Sequence, residues 1–303
     1  MSSVGQASGA PSGAAPAGIG VCSPATLERL GRVQGFVFDM DGTLVLGDQH
    51  SHELVPLPGA LEITDWLRRR GLPCVVFTNG TTRPPADYAR RLAQAGFTLA
   101  DAALLTPASC AAEHFTRLAF RRVLVLGGAG VREPLQSAGL EVLEPVGRPQ
   151  ADAVLIGWYR QFTMDGLEAA CHAVWNGARV YSASQAVFFA TSTGKALGTS
   201  RAIAAMIQAL TGCRIHVIGK PSLAALRYAG RRLGVRLKHL AVVGDDPSLE
   251  VPMAHRGHAL AIAVNTGLGG ADSYAHLPIA RRPHLAVPGL EELLRLCRHA
   301  SAV

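Results

Sequence analysis

The stretch Gly35-Phe36-Val37-Phe38-Asp39-Met40-Asp41-Gly42-Thr43-Leu44 constrains this chain more than any other. Its short apolar run, aromatic and β-branched and preceded by glycine, reads as a buried strand. The run ends in two carboxylates one residue apart. In extended chain, residues two apart share a side, so Asp39 and Asp41 face one point just past the strand's end. Gly42 allows a sharp departure there, leaving backbone N–H groups free in the turn. Acids this close repel unless a cation or a shared proton intervenes, so the pattern asks for a metal or for proton chemistry. Simpler roles fit less well. A helix-capping pair needs a helix to follow at once, whereas Leu44 to Pro58 reads as a loop carrying Gly47, Pro56 and Pro58. A calcium loop counted from Asp39 needs glycine and an acid at positions held by Leu44 and His50.

A chain of 303 residues implies one large domain or two ordinary ones. With 49% hydrophobic and 17% charged residues it can build a packed core. The formal charge of +7 favours anionic ligands. Nucleic acid is not an expected partner: the arginines are scattered in short groups (Arg68 to Arg70, Arg121-Arg122, Arg231-Arg232), and 6% aromatics are too few for a base-stacking platform. No apolar run approaches the ~18 residues of a membrane span, so no membrane contact is expected. Cys22, Cys74, Cys110, Cys171, Cys213 and Cys297 are evenly spread without a CxxC pair, which suits a reducing cytoplasm. The opening residues, mostly Gly, Ala, Ser and Pro, lack the basic start and apolar segment of a signal peptide, and residues 1–22 read as a disordered tail.

Beyond the first strand, helical and strand patterns alternate. Pro58 to Arg70 carries Leu61, Ile63, Trp66 and Leu67 at near-helical spacing, and Leu72 to Phe77 reads as a strand. Further strands are expected at 122–126, 153–156, 179–182, 215–218, 240–243 and 259–264. This alternation predicts an α/β fold with a mostly parallel sheet and helices on both faces. Sites in such sheets lie beyond the carboxyl ends of the strands. Those ends supply Asp39 and Asp41, then Thr78 and Asn79, then Gly219-Lys220-Pro221-Ser222, then Gly244-Asp245-Asp246 with Glu250 further on. Acids, a hydroxyl and a lysine are what phosphoryl transfer requires: a nucleophile, a metal seat and a cation for the phosphoryl oxygens. Singly, Lys220 reads as a surface lysine, Thr78 as a helix cap, and Asp245 and Asp246 as caps of a helix beginning near Pro247; their joint placement reverses that reading.

The four segments FDMDGTL, VVFTNGTT, GKPS and VVGDD resemble the motifs of the haloacid dehalogenase superfamily, specifically its class IIA phosphatases. The resemblance runs from about Gly35 to Gly267. It implies a Rossmann-like parallel-sheet core with an inserted α/β cap. The expected partition is a core from 23–106 and 214–303, with the cap at 107–213. By the same resemblance Asp39 would attack phosphorus, and Asp41 would protonate the leaving alcohol and then activate water. Thr78 and Lys220 would hold phosphoryl oxygens, with Asn79 acting through its backbone. Mg2+ would sit on Asp39, the Asp41 carbonyl and Asp245, with Glu250 supporting from where the family carries Asp. The expected substrate is a small phosphorylated metabolite, and a homodimer through the cap is a candidate assembly.

The cap departs from the family where Ala183-Ser184-Gln185-Ala186 replaces a Thr-Asn-x-Asp segment, which makes Ser184 and Gln185 candidate substrate-selecting residues. A non-catalytic phospho-ligand-binding protein and a phosphotransferase with the same aspartyl chemistry are the alternatives to hydrolysis. Other motifs fail. In Val125 to Gly130 the third glycine of a dinucleotide fingerprint falls on Glu133, and Gly194-Lys195 is followed by Ala196 where a P-loop needs Ser or Thr. The pairs His50, His52 and His255, His258 lack a third ligand.

Overall fold

The computed structural model describes residues 22–47, 53–100, 103–191, 194–267, 274 and 277–302. The expected disordered tail therefore lies, apart from Cys22, outside the described residues. Helix α1 (Pro24–Gly31) leads into β1 (Gly35–Phe38), followed by the short strands β2 (Val45–Gly47) and β3 (Leu54–Pro56). Next come α2 (Ala60–Arg69), β4 (Cys74–Phe77), α3 (Pro85–Gln94), β5 (Leu104–Leu105) and α4 (Pro107–Arg117). A second group comprises β6 (Arg122–Leu126), α5 (Ala129–Ser137), β7 (Glu141–Leu143), β8 (Ala153–Ile156), α6 (Met164–Trp175) and β9 (Arg179–Ser182). It closes with β10 (Phe188–Thr191), β11 (Gly194–Leu197), α7 (Thr199–Thr211) and β12 (Ile215–Val217). The chain ends with α8 (Leu223–Leu233), β13 (Leu240–Gly244), α9 (Glu250–Arg256), β14 (Leu260–Val264), β15 (Leu285–Val287) and α10 (Leu290–Ala300).

Two parallel sheets result. One has six strands in the order β15-β14-β13-β1-β4-β5, and the other five in the order β12-β9-β8-β6-β7. The first is the Rossmann-like core and the second belongs to the inserted cap, as the family resemblance implied, and both sheets are parallel, as the alternating pattern implied. Two expectations need correction. The strand at 215–218, assigned to the core from residue 214, pairs in register with β9, Ile215 opposite Val180, and so lies in the cap sheet. Sequence adjacency could not show this, because the pairing is decided by which sheet edge the apolar strand reaches. Leu44 to Pro58 is not all loop: β2 and β3 pair antiparallel, Val45 opposite Pro56. Three-residue strands carry too little alternation to be legible.

Strand alternation sorts the core side chains. Phe36 and Phe38 pack on one face of the central sheet with Ile63, Leu67, Leu290 and Leu293. Val37, between them, points to the other face. There it joins Phe77, helix α8 residues Ala225 and Leu226, and helix α4 residues Ala108, Ala111 and Phe115. The same cluster continues into cap residues Val123, Val125, Leu155 and Tyr181. Helix α4 is thus an apolar layer shared by both sheets, and its alanines let both approach it closely. Its start is fixed by a capping box, with Thr106 and Ser109 each accepting from the other's backbone N–H. Complete burial of a side chain such as Phe38 or Phe77 contributes on the order of 1.5–3 kcal/mol.

Of the glycines in Val125 to Gly130, which mimic a dinucleotide fingerprint, Gly130 serves this junction. A Cβ on Gly130 would lie 2.4 Å from the Thr81 carbonyl oxygen and 2.6 Å from that of Arg83. The start of α5 can therefore rest directly on the core loop after β4. Because the obstacle is backbone, Gly130→Ala should destabilise the fold by about 1–3 kcal/mol, as overpacking does. The midpoint of urea unfolding measures this, and an unchanged midpoint would show that α5 can shift away freely.

Candidate active site

Three adjacent parallel strands deliver the carboxyl-end residues to one place. The register sets Phe38 opposite Val243 on one side and Val76 on the other, so β13, β1 and β4 end together. Asp39 N–H still donates to the Val243 carbonyl (2.8 Å), and Thr78 N–H to that of Leu105 (3.1 Å), which fixes both backbones at the sheet margin. Lys220 arrives from the opposite direction, past the end of the cap's edge strand β12. Ile218 N–H donates to the Ser182 carbonyl, holding that approach against β9.

The centre of the site is a buried cation between acids. Lys220 is 2% exposed, and its Nζ donates to Asp39 Oδ1 at very short range and to Glu250 Oε1 at 2.7 Å. Burial alone would lower the pKa of this ammonium, but the charges of Asp39 and Glu250 and their hydrogen bonds overrule it and raise it. Burial raises the Glu250 pKa while Lys220 opposes the rise. Among the described residues, Glu250 Oε2 accepts no hydrogen bond. Glu250 begins α9, and so its carboxylate also lies at the helix's positive end.

A second oxygen cluster adjoins the first. Thr43 Oγ1 lies 3.4 Å from Asp39 Oδ2 and 3.3 Å from Asp245 Oδ1, both in hydrogen-bonding orientation. Asp245 is 2% exposed. Two glycines make its seat. Gly42 has φ +84°, open to glycine at no steric cost, and a Cβ there would come within 2.5 Å of Asp245 Oδ2. A Cβ on Gly267 would come within 2.0 Å of the same oxygen. Thr266 Oγ1 donates to the Gly42 carbonyl at 2.7 Å, tying the two loops together. Thr43, Thr266 and Gly267 are members of the site that carboxylate patterns do not single out; their only signal is position, within DMDGT and AVNTG.

Asp41 opens to solvent at the mouth of this cluster, although protein atoms crowd its carboxyl. Burial and the charge of Asp39 push that carboxyl up to about 6, Asp245 adds to the rise, and Lys220 and Arg91 oppose it. A group in this range can hold and release a proton near neutrality.

Thr78 is buried, and its hydroxyl oxygen accepts from Gly80 N–H at 3.0 Å, which leaves the hydroxyl hydrogen available for an acceptor. Asn79 acts through its side chain rather than only its backbone. Its Nδ2 donates to the Lys220 carbonyl (3.0 Å) and its Oδ1 accepts from Lys220 N–H (2.9 Å), clamping the lysine's backbone from the core side. Asp246 points elsewhere, its Oδ1 accepting from Ser248 N–H and Oγ at 2.7 and 2.6 Å. It holds the turn that precedes α9, which starts at Glu250 and not near Pro247.

In the cap, Ser184 is buried and its Oγ accepts from Ala186 N–H at 3.1 Å, while Gln185 Nε2 has no hydrogen-bond partner. The loop lies close to the lysine: a Cβ on Gly219 would meet the Ala183 carbonyl oxygen at 2.2 Å and Asn79 Oδ1 at 2.6 Å.

The residues fit a magnesium ion. Asp39 and Asp245 converge on one hydroxyl with hard oxygens, and the surrounding acids leave negative charge that Lys220 alone does not balance. Among the described residues, no group of three or more His, Cys, Asp or Glu could hold a metal. Mg2+ asks for less, one or two carboxylates with water and substrate oxygens completing the shell.

Comparison with known proteins agrees with this geometry. A family model for haloacid dehalogenase-like hydrolases matches residues 36–141, and a second HAD-hydrolase-like model matches 217–293. Chronophin from Mus musculus is 28% identical over 278 residues, covering 88% of this chain and 93% of its own. Ribonucleotide monophosphatase NagD from Escherichia coli (strain K12) is 26% identical over 261 residues, covering 86% and 98%. The structure of 4-nitrophenylphosphatase from Thermotoga maritima superposes with a TM-score of 0.78 at 25% identity, covering 88% of this chain and 98% of that one. The chain belongs to the haloacid dehalogenase-like hydrolases, as a class IIA phosphatase of that superfamily.

Removing the Asn79 clamp tests the site's architecture. Asn79→Ala leaves the Lys220 N–H and carbonyl without side-chain partners and should cost about 1–3 kcal/mol of stability. It should also lower turnover, because the lysine loses its anchor. Urea unfolding and phosphatase assays on the same preparation check both, and unchanged values would show that Lys220 is placed by the cap alone.

Proposed function

We propose that this protein hydrolyses a small phosphomonoester through a phosphoaspartate on Asp39. The observation that carries the reading is the junction of Asp39 with Lys220 on one oxygen and Thr43 and Asp245 beside the other. An anionic nucleophile approaching a phosphate dianion faces like-charge repulsion, and this site offsets it with a buried ammonium. Asp39 attacks phosphorus while the bond to the leaving oxygen breaks. Asp41, holding a proton, gives it to that oxygen, and the alcohol departs. Asp41 then takes a proton from the water that attacks the phosphoaspartate, releasing phosphate and restoring Asp39. Thr78 Oγ donates to a phosphoryl oxygen, and Lys220 offsets charge on the same group. Asp39, the Asp41 carbonyl and Asp245 would hold Mg2+, which neutralises phosphoryl and carboxylate charge when bound. Glu250 positions Lys220.

Substrate selection falls to the cap loop beside Gly219. With Ser184 turned inward, Gln185 is the residue whose amide is available to a leaving group. The relatives' names, a ribonucleotide monophosphatase and a 4-nitrophenylphosphatase among them, support a small phosphate ester as the substrate. The free cysteines suit a reducing cytoplasm, and among the described residues no helix is long and apolar enough to cross a membrane.

Asp39→Asn should abolish turnover of phosphorylated metabolites and of 4-nitrophenyl phosphate while the protein remains folded by circular dichroism. Activity near wild type in that variant would overturn the mechanism. Wild-type activity should vanish with excess EDTA and return with Mg2+. Across Asp245→Asn, Glu250→Gln and Asp246→Asn, the Mg2+ concentration for half-maximal activity should rise most for the first and least for the last. If Asp246→Asn is the most damaging, the assignment of the metal carboxylate to Asp245 is wrong.

A further inference from the structure

Away from the acidic centre, helices α4 and α8 line a surface pocket of about 270 Å³ whose charged lining is cationic, with Arg117, Arg227 and Arg231 exposed to solvent. Arg117 and His114 line it from α4, Arg227 and Arg231 from α8, with Cys110 and Ala224 among the remaining wall residues. Arg231 is paired with Glu113. Arg117 and Arg227 form no ion pair among the described residues, so two further arginines line the pocket beside the Arg231–Glu113 pair. His114 reports the same field. Burial lowers its pKa most, and Arg117, His216, Arg231 and Arg179 lower it further. Nothing in the proposed reaction uses these residues.

The position is informative. Helix α8 starts immediately after Lys220-Pro221-Ser222, capped by Ser222 Oγ, which accepts from Ala225 N–H. On the other side His114 meets the edge of Tyr181, with ring centroids 5.5 Å apart, and Tyr181 stacks on His216 at 5.2 Å. His216 lies in β12, the strand leading to Lys220. Both segments that flank the buried lysine therefore border this cavity or its aromatic wall.

We propose that the α4–α8 cavity is a second anion site, built for a compact, multiply charged phosphate-class anion and separate from the catalytic carboxylates. Guanidinium pairs recognise phosphate oxygens through forked N–H donors, and the volume admits a phosphate or pyrophosphate group but not a nucleotide polymer. Arg117 and Arg227 supply the donors, and His114 lines the wall between them and Tyr181.

The test uses the full chain without added metal, inorganic pyrophosphate as probe, and the His114 imidazole NMR signals as a local readout. Addition of pyrophosphate should shift the His114 signals saturably, and Arg117→Ala/Arg227→Ala should weaken that response at least about tenfold, the equivalent of some 1.4 kcal/mol. In a separate assay with Mg2+ added, the same double variant should turn over 4-nitrophenyl phosphate like wild type, which shows that it is folded and that its catalytic centre is intact. A parallel titration with phenylphosphonate assigns the site to free inorganic anions or to phosphate esters, according to which ligand binds more tightly. The proposal is overturned if the His114 signals do not move up to roughly ten millimolar pyrophosphate. It is equally overturned if sodium chloride at matched ionic strength gives the same shift, or if the double variant responds like wild type.

Discussion

The structure depends on one buried contact, the Lys220 ammonium held between Asp39 and Glu250. A cation taken out of water is costly unless acids meet it with good geometry. Here the acids come from the end of β1 and the start of α9, while the lysine comes from beyond β12. The two sheets thus share an electrostatic joint. Glu250, the first residue of α9 after the Asp246 turn, brings its carboxylate to the lysine. Gly244 leaves room for that side chain: a Cβ there would lie 2.1 Å from Glu250 Cγ.

Around this joint the two halves are also fused by apolar contact. The cluster running from Val37 and Phe77 through Ala108, Ala111 and Phe115 to Val125 and Tyr181 is continuous from core to cap. Asn79 adds two hydrogen bonds from the core to the Lys220 backbone, and Thr81 accepts from Trp158 N–H at 2.8 Å across the same boundary. Polar and apolar contacts therefore agree in fixing how the cap sits over Asp39.

Much of this was legible in the sequence because the signals were local. An apolar run that stops at a polar residue marks a strand end, and β1, β4 and β13 follow that rule with Asp39, Thr78 and Asp245. Asp246, read from the sequence as a cap of a helix near Pro247, instead holds the turn before α9. The illegible parts depend on partners distant in the chain. Nothing within Ile215 to Ile218 says which sheet it joins, and nothing within Asn79 says that its amide meets a backbone 141 positions away. Gly130 and Gly267 likewise carry no sign in the sequence of which neighbour forbids a side chain. Thr43 lies inside the most recognisable motif, yet its place between two carboxylates appears only when β13 is set beside β1.

The pairing of Ile215–Val217 with β9 bears on how such proteins can diversify. An inserted unit is exchangeable only if its ends lie outside the machinery it serves. Here the returning end is an edge strand of the inserted sheet and, three residues later, the buried lysine. A chimaera that trades this cap for a relative's must therefore cross over beyond Lys220, or it will join a foreign strand edge to a native catalytic group and inherit the mismatch in register between them.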